Sequence, residues 1–393
     1  SVTNIADRKS RQMIHKAKKL NPDAIVAATG CYVEAAGDNV DEDVDIAIGN
    51  NEKSRLVEIL DSYFSDVCEE KHTHADINKV TDFDDMFMEA PMEHTRAYVK
   101  IQDGCNRFCT YCIIPYVRGR IRSRQRDDIF NEVSSLARKG CAEVVLTGIH
   151  LSSYGLDMGG NAPGLIDIIE MINGIEGIKR IRLGSLEPRI VTEEFAKRLA
   201  ACEKICPHFH LSLQSGCDAT LIRMNRKYTT GEFAEGVKIL RRYFDNPAIT
   251  TDVIVGFPGE TQEEFDVTYE YLKRIKFYEL HVFKYSRRKG TMADKMPDQV
   301  DEQIKSARSD RLLELDEKLS TQYREKYIGK DICVLTEEVN VIEGTAYMTG
   351  FTPTYVKVAI PVDNMPDIQP NMLVTVRAVK LLGKDLVIGV AEN

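Results

Sequence analysis

Asp103-Gly104-Cys105-Asn106-Arg107-Phe108-Cys109-Thr110-Tyr111-Cys112 follows directly on a short β-prone run, 97–102, and its reading decides the fold. Three cysteines fall within eight residues in a C-x₃-C-x₂-C pattern behind a glycine. Three thiolates are one fewer than saturate a [4Fe–4S] cluster. A structural zinc also wants four ligands, and no fourth cysteine or histidine follows at zinc-ribbon spacing. A cubane held by three thiolates leaves one iron open to a chelating ligand, and Phe108 and Tyr111 between the ligands would keep water away. The plain alternative is three buried cysteines. Spacing, glycine and position after a strand together favour the cluster.

Working outward, strand and helix patterns alternate six times between about 96 and 283. The strand candidates are 97–102, 143–147, 180–184, 209–213, 250–256 and 279–283, with helical stretches such as 127–138, 192–201, 231–243 and 261–275 between them. Six βα units predict a parallel sheet curved into a partial or complete barrel, with chemistry at the C-terminal strand ends. The segment 1–64 reads as part of an α/β unit, with strands at 24–28 and 44–48 and a helix at 53–64. Residues 65–95, acidic and weakly periodic, read as a linker. The enzyme domain then spans 96–324, ending in a long amphipathic helix over 301–327. Residues 325–393, rich in Val, Ile, Thr and Tyr, predict a small all-β barrel. The fold class is therefore α/β with an appended β-barrel.

The chain has 393 residues, 43% hydrophobic and 29% charged, so a folded protein of two or three domains is expected. No apolar run reaches the ~20 residues of a membrane helix. The polar opening Ser1–Arg11 predicts no secretory leader, and ten cysteines in this length predict reduced thiols in the cytoplasm. The start at Ser1 rather than at methionine leads to the expectation of a missing N-terminal piece. Cys202, Cys206, His208 and His210 are read as core residues, and Cys68 with His72 and His74 as part of a solvated linker.

The cysteine pattern on such a barrel resembles the radical S-adenosylmethionine (SAM) superfamily. Over nearly its whole length the chain resembles the tRNA methylthiotransferases. The residues carrying that likeness are Ser1-Val-Thr-Asn-Ile-Ala-Asp-Arg-Lys-Ser-Arg-Gln12, Thr29-Gly30-Cys31, Asp103-Gly-Cys-Asn106, His210-Leu-Ser-Leu-Gln-Ser-Gly216, Arg223-Met-Asn-Arg-Lys-Tyr228, Asp252-Val-Ile-Val-Gly-Phe-Pro-Gly-Glu-Thr261 and His281-Val-Phe-Lys-Tyr-Ser286. The opening segment and Gly148-Ile-His-Leu-Ser-Ser-Tyr-Gly155 resemble the branch acting on N6-threonylcarbamoyladenosine at position 37 of tRNA.

The resemblance implies a [4Fe–4S] cluster on Cys105, Cys109 and Cys112, whose open iron binds SAM. One-electron cleavage then gives a 5′-deoxyadenosyl radical, sulfur enters at C2 of the adenine, and a second SAM supplies the methyl group. It implies that Thr147, Gly148, Ser185, Glu187, Gln214, Arg226, Gly256 and Gly259 surround SAM. It further implies an auxiliary [4Fe–4S] cluster, for which Cys31 is one ligand and two more are expected upstream of Ser1. The partners implied are tRNA and a flavodoxin- or ferredoxin-like electron donor, with no membrane.

The net charge of −9 gives no global support for RNA binding. Locally, Arg107, Arg118, Arg120, Arg122, Arg124 and Arg126 lie beside the cysteines with no acid among them. Of these, Arg118, Arg120, Arg122 and Arg124 are predicted to touch the tRNA substrate. Lys284, Arg287, Arg288 and Lys289 form a second basic stretch. The C-terminal barrel resembles the TRAM RNA-binding module, yet residues 325–393 hold six basic and nine acidic residues. Tyr347, Phe351 and Tyr355 there are open to base stacking or a core role. The competing functions are methylthiolation of another adenosine or of a ribosomal protein, and an RNA-binding iron–sulfur protein without turnover.

Overall fold

A computed structural model describes residues 4–65, 72–73, 77–84, 95–160, 162–383 and 386–390. Cys68 and His74 lie outside the described residues. The chain begins with α1 (Asn4–Leu20), β1 (Ala27–Thr29), α2 (Cys31–Ala36), β2 (Ile46–Ile48), α3 (Leu56–Phe64) and β3 (His72–Thr73). The three strands pair in parallel in the order β1-β2-β3. Their helices bury Ile14, Tyr32 and Val33 on one face and Ile59 on the other. The segment expected to be a linker therefore supplies a strand, because β2 offers it an unpaired edge.

The central unit runs β4 (Arg96–Asp103), α4 (Ile114–Val117), β5 (Arg122–Ser123), α5 (Arg126–Arg138), β6 (Glu143–Gly148), α6 (Leu165–Asn173), β7 (Arg180–Leu183), α7 (Glu193–Ala200), β8 (His208–His210), α8 (Asp218–Arg223), α9 (Thr230–Tyr243), β9 (Ala248–Val255), α10 (Gln262–Ile275), β10 (Glu279–Lys284) and α11 (Glu302–Glu325). Parallel ladders join β4-β6-β7 and β8-β9-β10. Isolated parallel bridges at Ile181–Ile205 and Leu186–Leu211 connect the two halves. The result is an open arc rather than a closed barrel. One edge is covered by the antiparallel β5, and α11 lies along the other, where Asp316 accepts the Leu280 N–H at 2.6 Å.

One large apolar core lies under the outer helices, from Val99 and Ile101 through Leu146, Ile181, Phe209 and Val253 to Leu312. Helix starts were written locally: Thr229 with Glu232 and Thr261 with Glu264 form reciprocal capping boxes. The predicted strand at 209–213 is shorter than expected. Gln214 takes a left-handed φ of 71°, and beyond β8 the chain continues by single bridges.

Between residues 331 and 390 the chain forms a closed barrel, ordered β11 (Asp331–Ile342), β12 (Thr345–Phe351), β13 (Lys357–Pro361), β15 (Leu386–Val390) and β14 (Leu373–Leu382). Closure leaves no free strand edge. Tyr347 is buried. Phe351 and Tyr355 stack on each other at 4.6 Å, with the Arg96 guanidinium against both rings and that of Arg182 against Tyr355. These three aromatics therefore serve packing. Among the described residues no helix is long and apolar enough to cross a membrane.

Candidate active site

The loop leaving β4 is held from several sides. A Cβ on Gly104 would lie 1.7 Å from the Arg120 carbonyl oxygen, so only glycine at φ +69° lets the chain pass there. The Cys105 N–H donates to the Gly119 carbonyl at 3.0 Å, and the Cys112 N–H to that of Cys109 at 2.9 Å. Asn225 donates to the Phe108 carbonyl at 2.8 Å, and the Thr110 hydroxyl to the Arg223 carbonyl at 2.9 Å. Phe108 itself sits at φ +50°. The loop is thereby fixed against the segment after α8.

Cys105, Cys109 and Cys112 open into one cavity with Ser185, Glu187, Gln214 and Arg226, and with Arg107, Tyr111 and His150. None of the three cysteines is in a disulfide. Three thiolates leave a structural tetrahedral zinc one ligand short, whereas they suit a [4Fe–4S] cluster that keeps one iron open, so the donor set fits the cluster. Burial pushes the Cys105 thiol up, and that of Cys112 up to about 12, so metal uptake must displace protons. Arg226, 3.3 Å from the Cys109 sulfur, supplies a compensating charge.

Glu187 anchors the opposite wall at 6% exposure. Its carboxylate meets His150 Nε2 at 2.9 Å, Arg107 Nε at 2.7 Å and Arg189 Nε at 2.8 Å. Burial opposes ionisation here, but these donors outweigh it and bring the carboxyl down to about 2. Gln102, wholly buried, joins the two walls. It donates to the Asp103 and Gly104 carbonyls at 2.7 and 2.8 Å and accepts the His150 N–H at 2.7 Å.

Four further residues expected to surround SAM are not among those lining this cavity. Thr147 bonds the Val99 carbonyl at 3.3 Å, and Gly148 makes room for Gln102. Neither lines the cavity. Gly256 and Gly259 also stand outside it. A Cβ on Gly256 would meet Lys305 at 2.3 Å, and Gly259 takes a left-handed φ of +74°, so close packing at the first and backbone conformation at the second favour glycine.

The arginine run divides sharply. Arg122 is 1% exposed, donating to the Arg118 carbonyl at 2.9 Å and to Asn51 at 3.1 Å. Arg124, 2% exposed, pairs with Glu132. These two cannot touch RNA: on and just after β5 they are buried and paired. Arg118 is partly buried, between Asp103 at 3.3 Å and the Cys31 sulfur at 3.1 Å. Arg120 is exposed, over the Phe108 ring at 4.7 Å. In the second basic stretch, Arg288 is buried against Asp7 and Arg287 pairs with Asp294 at 3.0 Å. Cys31 is buried against Ile113 and Val117, facing the chain that leaves Cys112. Cys202 and Cys206 are core residues, as expected.

His150, Tyr228 and Gln102 were not among the expected site residues; Tyr111 was expected only as a shield of the cluster and Arg107 only as part of the basic run. His150 and Arg107 had a usable signal, since both follow parallel-strand ends. Tyr228, which meets Arg226 Nε at 2.8 Å, had none.

Residues 99–272 match the model of the radical SAM superfamily. The threonylcarbamoyladenosine tRNA methylthiotransferase MtaB of Bacillus subtilis is 40% identical, over 91% of this chain and 80% of its own. Its namesake from Aquifex aeolicus is 43% identical, over 86% and 82%. The chain belongs to the radical SAM tRNA methylthiotransferases. A tRNA-2-methylthio-N(6)-dimethylallyladenosine synthase of Acetivibrio thermocellus, at 37% identity over 84% of this chain, is a more distant member. Among solved structures, the radical SAM methyltransferase TsrM of Kitasatospora setae matches with a TM-score of 0.57 at 15% identity, covering 73% of this chain and 62% of its own. That likeness establishes the arc-shaped radical SAM fold. Members of this methylthiotransferase family use a [4Fe–4S] cluster and SAM.

Proposed function

We propose that this chain methylthiolates C2 of N6-threonylcarbamoyladenosine at position 37 of tRNA. The observation that carries the reading is the 40% and 43% identity, across most of both chains, to two enzymes named for that reaction. The site supports it: three cysteines, a buried carboxylate and a partly buried arginine share one cavity at the strand ends.

In this reading Cys105, Cys109 and Cys112 hold the cluster. When bound, the cluster and SAM supply one-electron cleavage, sulfur insertion and methyl transfer. Glu187, held ionised by His150, Arg107 and Arg189, receives the donors of SAM; Ser185 and Gln214 add neutral hydrogen-bonding groups. Arg226 offsets thiolate charge beside Cys109, and Tyr111 and Phe257 pack edge to face at 6.3 Å to keep water out. Cys31 is one ligand of an auxiliary cluster, with Arg118 at its sulfur. A flavodoxin- or ferredoxin-like donor delivers the electron, and the reaction belongs to the cytoplasm.

The test is 5′-deoxyadenosine formation after anaerobic reconstitution with iron, sulfide, SAM and dithionite. Formation that Cys109→Ala abolishes supports the reading. A bound cluster with no 5′-deoxyadenosine would overturn turnover by this chain and leave an RNA-binding iron–sulfur protein.

A further inference from the structure

Beside the cavity lies a second groove of about 460 Å³, lined by Asn106, Arg107, Arg120, Ile121, Ser153, Leu156 and Asp157. Its size suits a small-ligand subsite. Arg107 lines both spaces, so the groove adjoins the reactive cavity. Ser153 ties its wall to the site through His150 Nδ1 at 2.6 Å.

The charges in and around this groove are unequal in availability. Arg107 is held by Glu187, Arg118 and Arg122 by Asp103, and Arg124 by Glu132. Asp157 accepts the Ser123 N–H at 2.8 Å and its hydroxyl at 2.5 Å. Arg120 is exposed, and among the described residues it has no ion-pair partner; its guanidinium carbon lies over Phe108, 4.7 Å from the ring centre. That stacking orients the fork without using its N–H donors. Leu156, 70% exposed, adds an apolar surface.

We infer that this groove reads the N6 substituent of the substrate, with Arg120 binding its free carboxylate. The inference rests on the function proposed above. On an adenine ring C2 and C6 are separated by one ring atom. With C2 turned to the reactive cavity, a substituent on N6 extends sideways, toward an adjoining space. The threonylcarbamoyl group carries a carboxylate, a hydroxyl and a methyl. An unpaired arginine, the polar groups of Asn106 and Ser153, and Leu156 match those three in kind. A planar guanidinium takes a carboxylate through two parallel hydrogen bonds, which a neutral or apolar N6 substituent cannot accept.

The test compares binding of three anticodon stem-loops to the cluster-loaded protein. One carries threonylcarbamoyladenosine, one its carboxylate methyl ester, and one unmodified adenosine. The wild-type chain is expected to prefer the acid over the ester by about tenfold or more, as for a charge-assisted bond. Arg120→Gln should bring that ratio close to one, and Arg120→Lys should restore part of it. Equal binding of acid and ester by the wild type, or an undiminished ratio in Arg120→Gln, would overturn the inference while leaving the function standing. Equal loss by Arg120→Gln on all three RNAs would assign Arg120 to a backbone phosphate and overturn it as well. Failure to bind any of the three would remove the tRNA reading itself.

Discussion

At Glu187 a carboxylate with 6% exposure faces His150, Arg107 and Arg189, and these together bring its ionisation down to about 2 from the ordinary 4.5. Because the folded value is depressed, its contribution to stability is complete above pH 4.5 and is lost as pH falls from there toward about 2. Glu187→Gln leaves three cationic or donor groups without their anion. It should cost about 3 kcal/mol at neutral pH, by the usual penalty for breaking a buried pair. The same variant should lose less stability on acidification than the wild type, and urea midpoints across that pH range check both expectations. Gly104 makes a different demand. In Gly104→Ala the new methyl would meet the Arg120 carbonyl 1.7 Å away. The left-handed backbone adds roughly 1–3 kcal/mol of strain. The cysteine loop should then fail to close, and iron and sulfide analysis after reconstitution should find most of the cluster missing.

Among the elements, β5 and α5 show how charge in a sequence differs from charge on a surface. Arg124 and Glu132 are both buried and join the two elements. Arg124→Ala should destabilise by about 3–5 kcal/mol, while Arg124→Met with Glu132→Leu should recover most of that loss. The double variant should leave the salt dependence of tRNA binding unchanged. A phosphate-contacting arginine would instead lower that slope by about one. Denaturant unfolding and binding titrations at several salt concentrations separate the two roles. The same reasoning explains why Arg122 and Arg124, expected to touch RNA, are buried instead. Six arginines without an acid among them look unpaired in sequence. The partners of four of them, Asp103, Glu132 and Glu187, come from other elements.

Across the whole molecule, three arginines fasten the central arc to the C-terminal barrel. Arg180 donates to the Phe351 carbonyl at 2.8 Å and to that of Cys333 at 3.1 Å. Arg182, paired with Glu143 at 2.8 Å, donates to the Pro353 carbonyl at 3.0 Å and lies over Tyr355 at 4.5 Å. Arg96 reaches Glu337 at 2.7 Å. Tyr355→Ala should therefore cost about 3 kcal/mol, as for other packed aromatics. The barrel should then unfold before the arc, visible as a second calorimetric transition. The six parallel strands, the helix starts at Thr229 and Thr261, and the cysteine loop were legible in the chain because each is a local pattern: period, cap or spacing. So were Ser185, Glu187, Gln214 and Arg226, through position after a strand and likeness to a family. Tertiary structure alone decided that the arc stays open, since α11 takes the edge a further strand would need. It also removed Thr147, Gly148, Gly256 and Gly259 from the cavity lining, buried Arg122 and Arg124, and left Arg120 without an ion-pair partner among the described residues. A residue's type is written locally; whether its charge is spent is set by partners that only folding brings near.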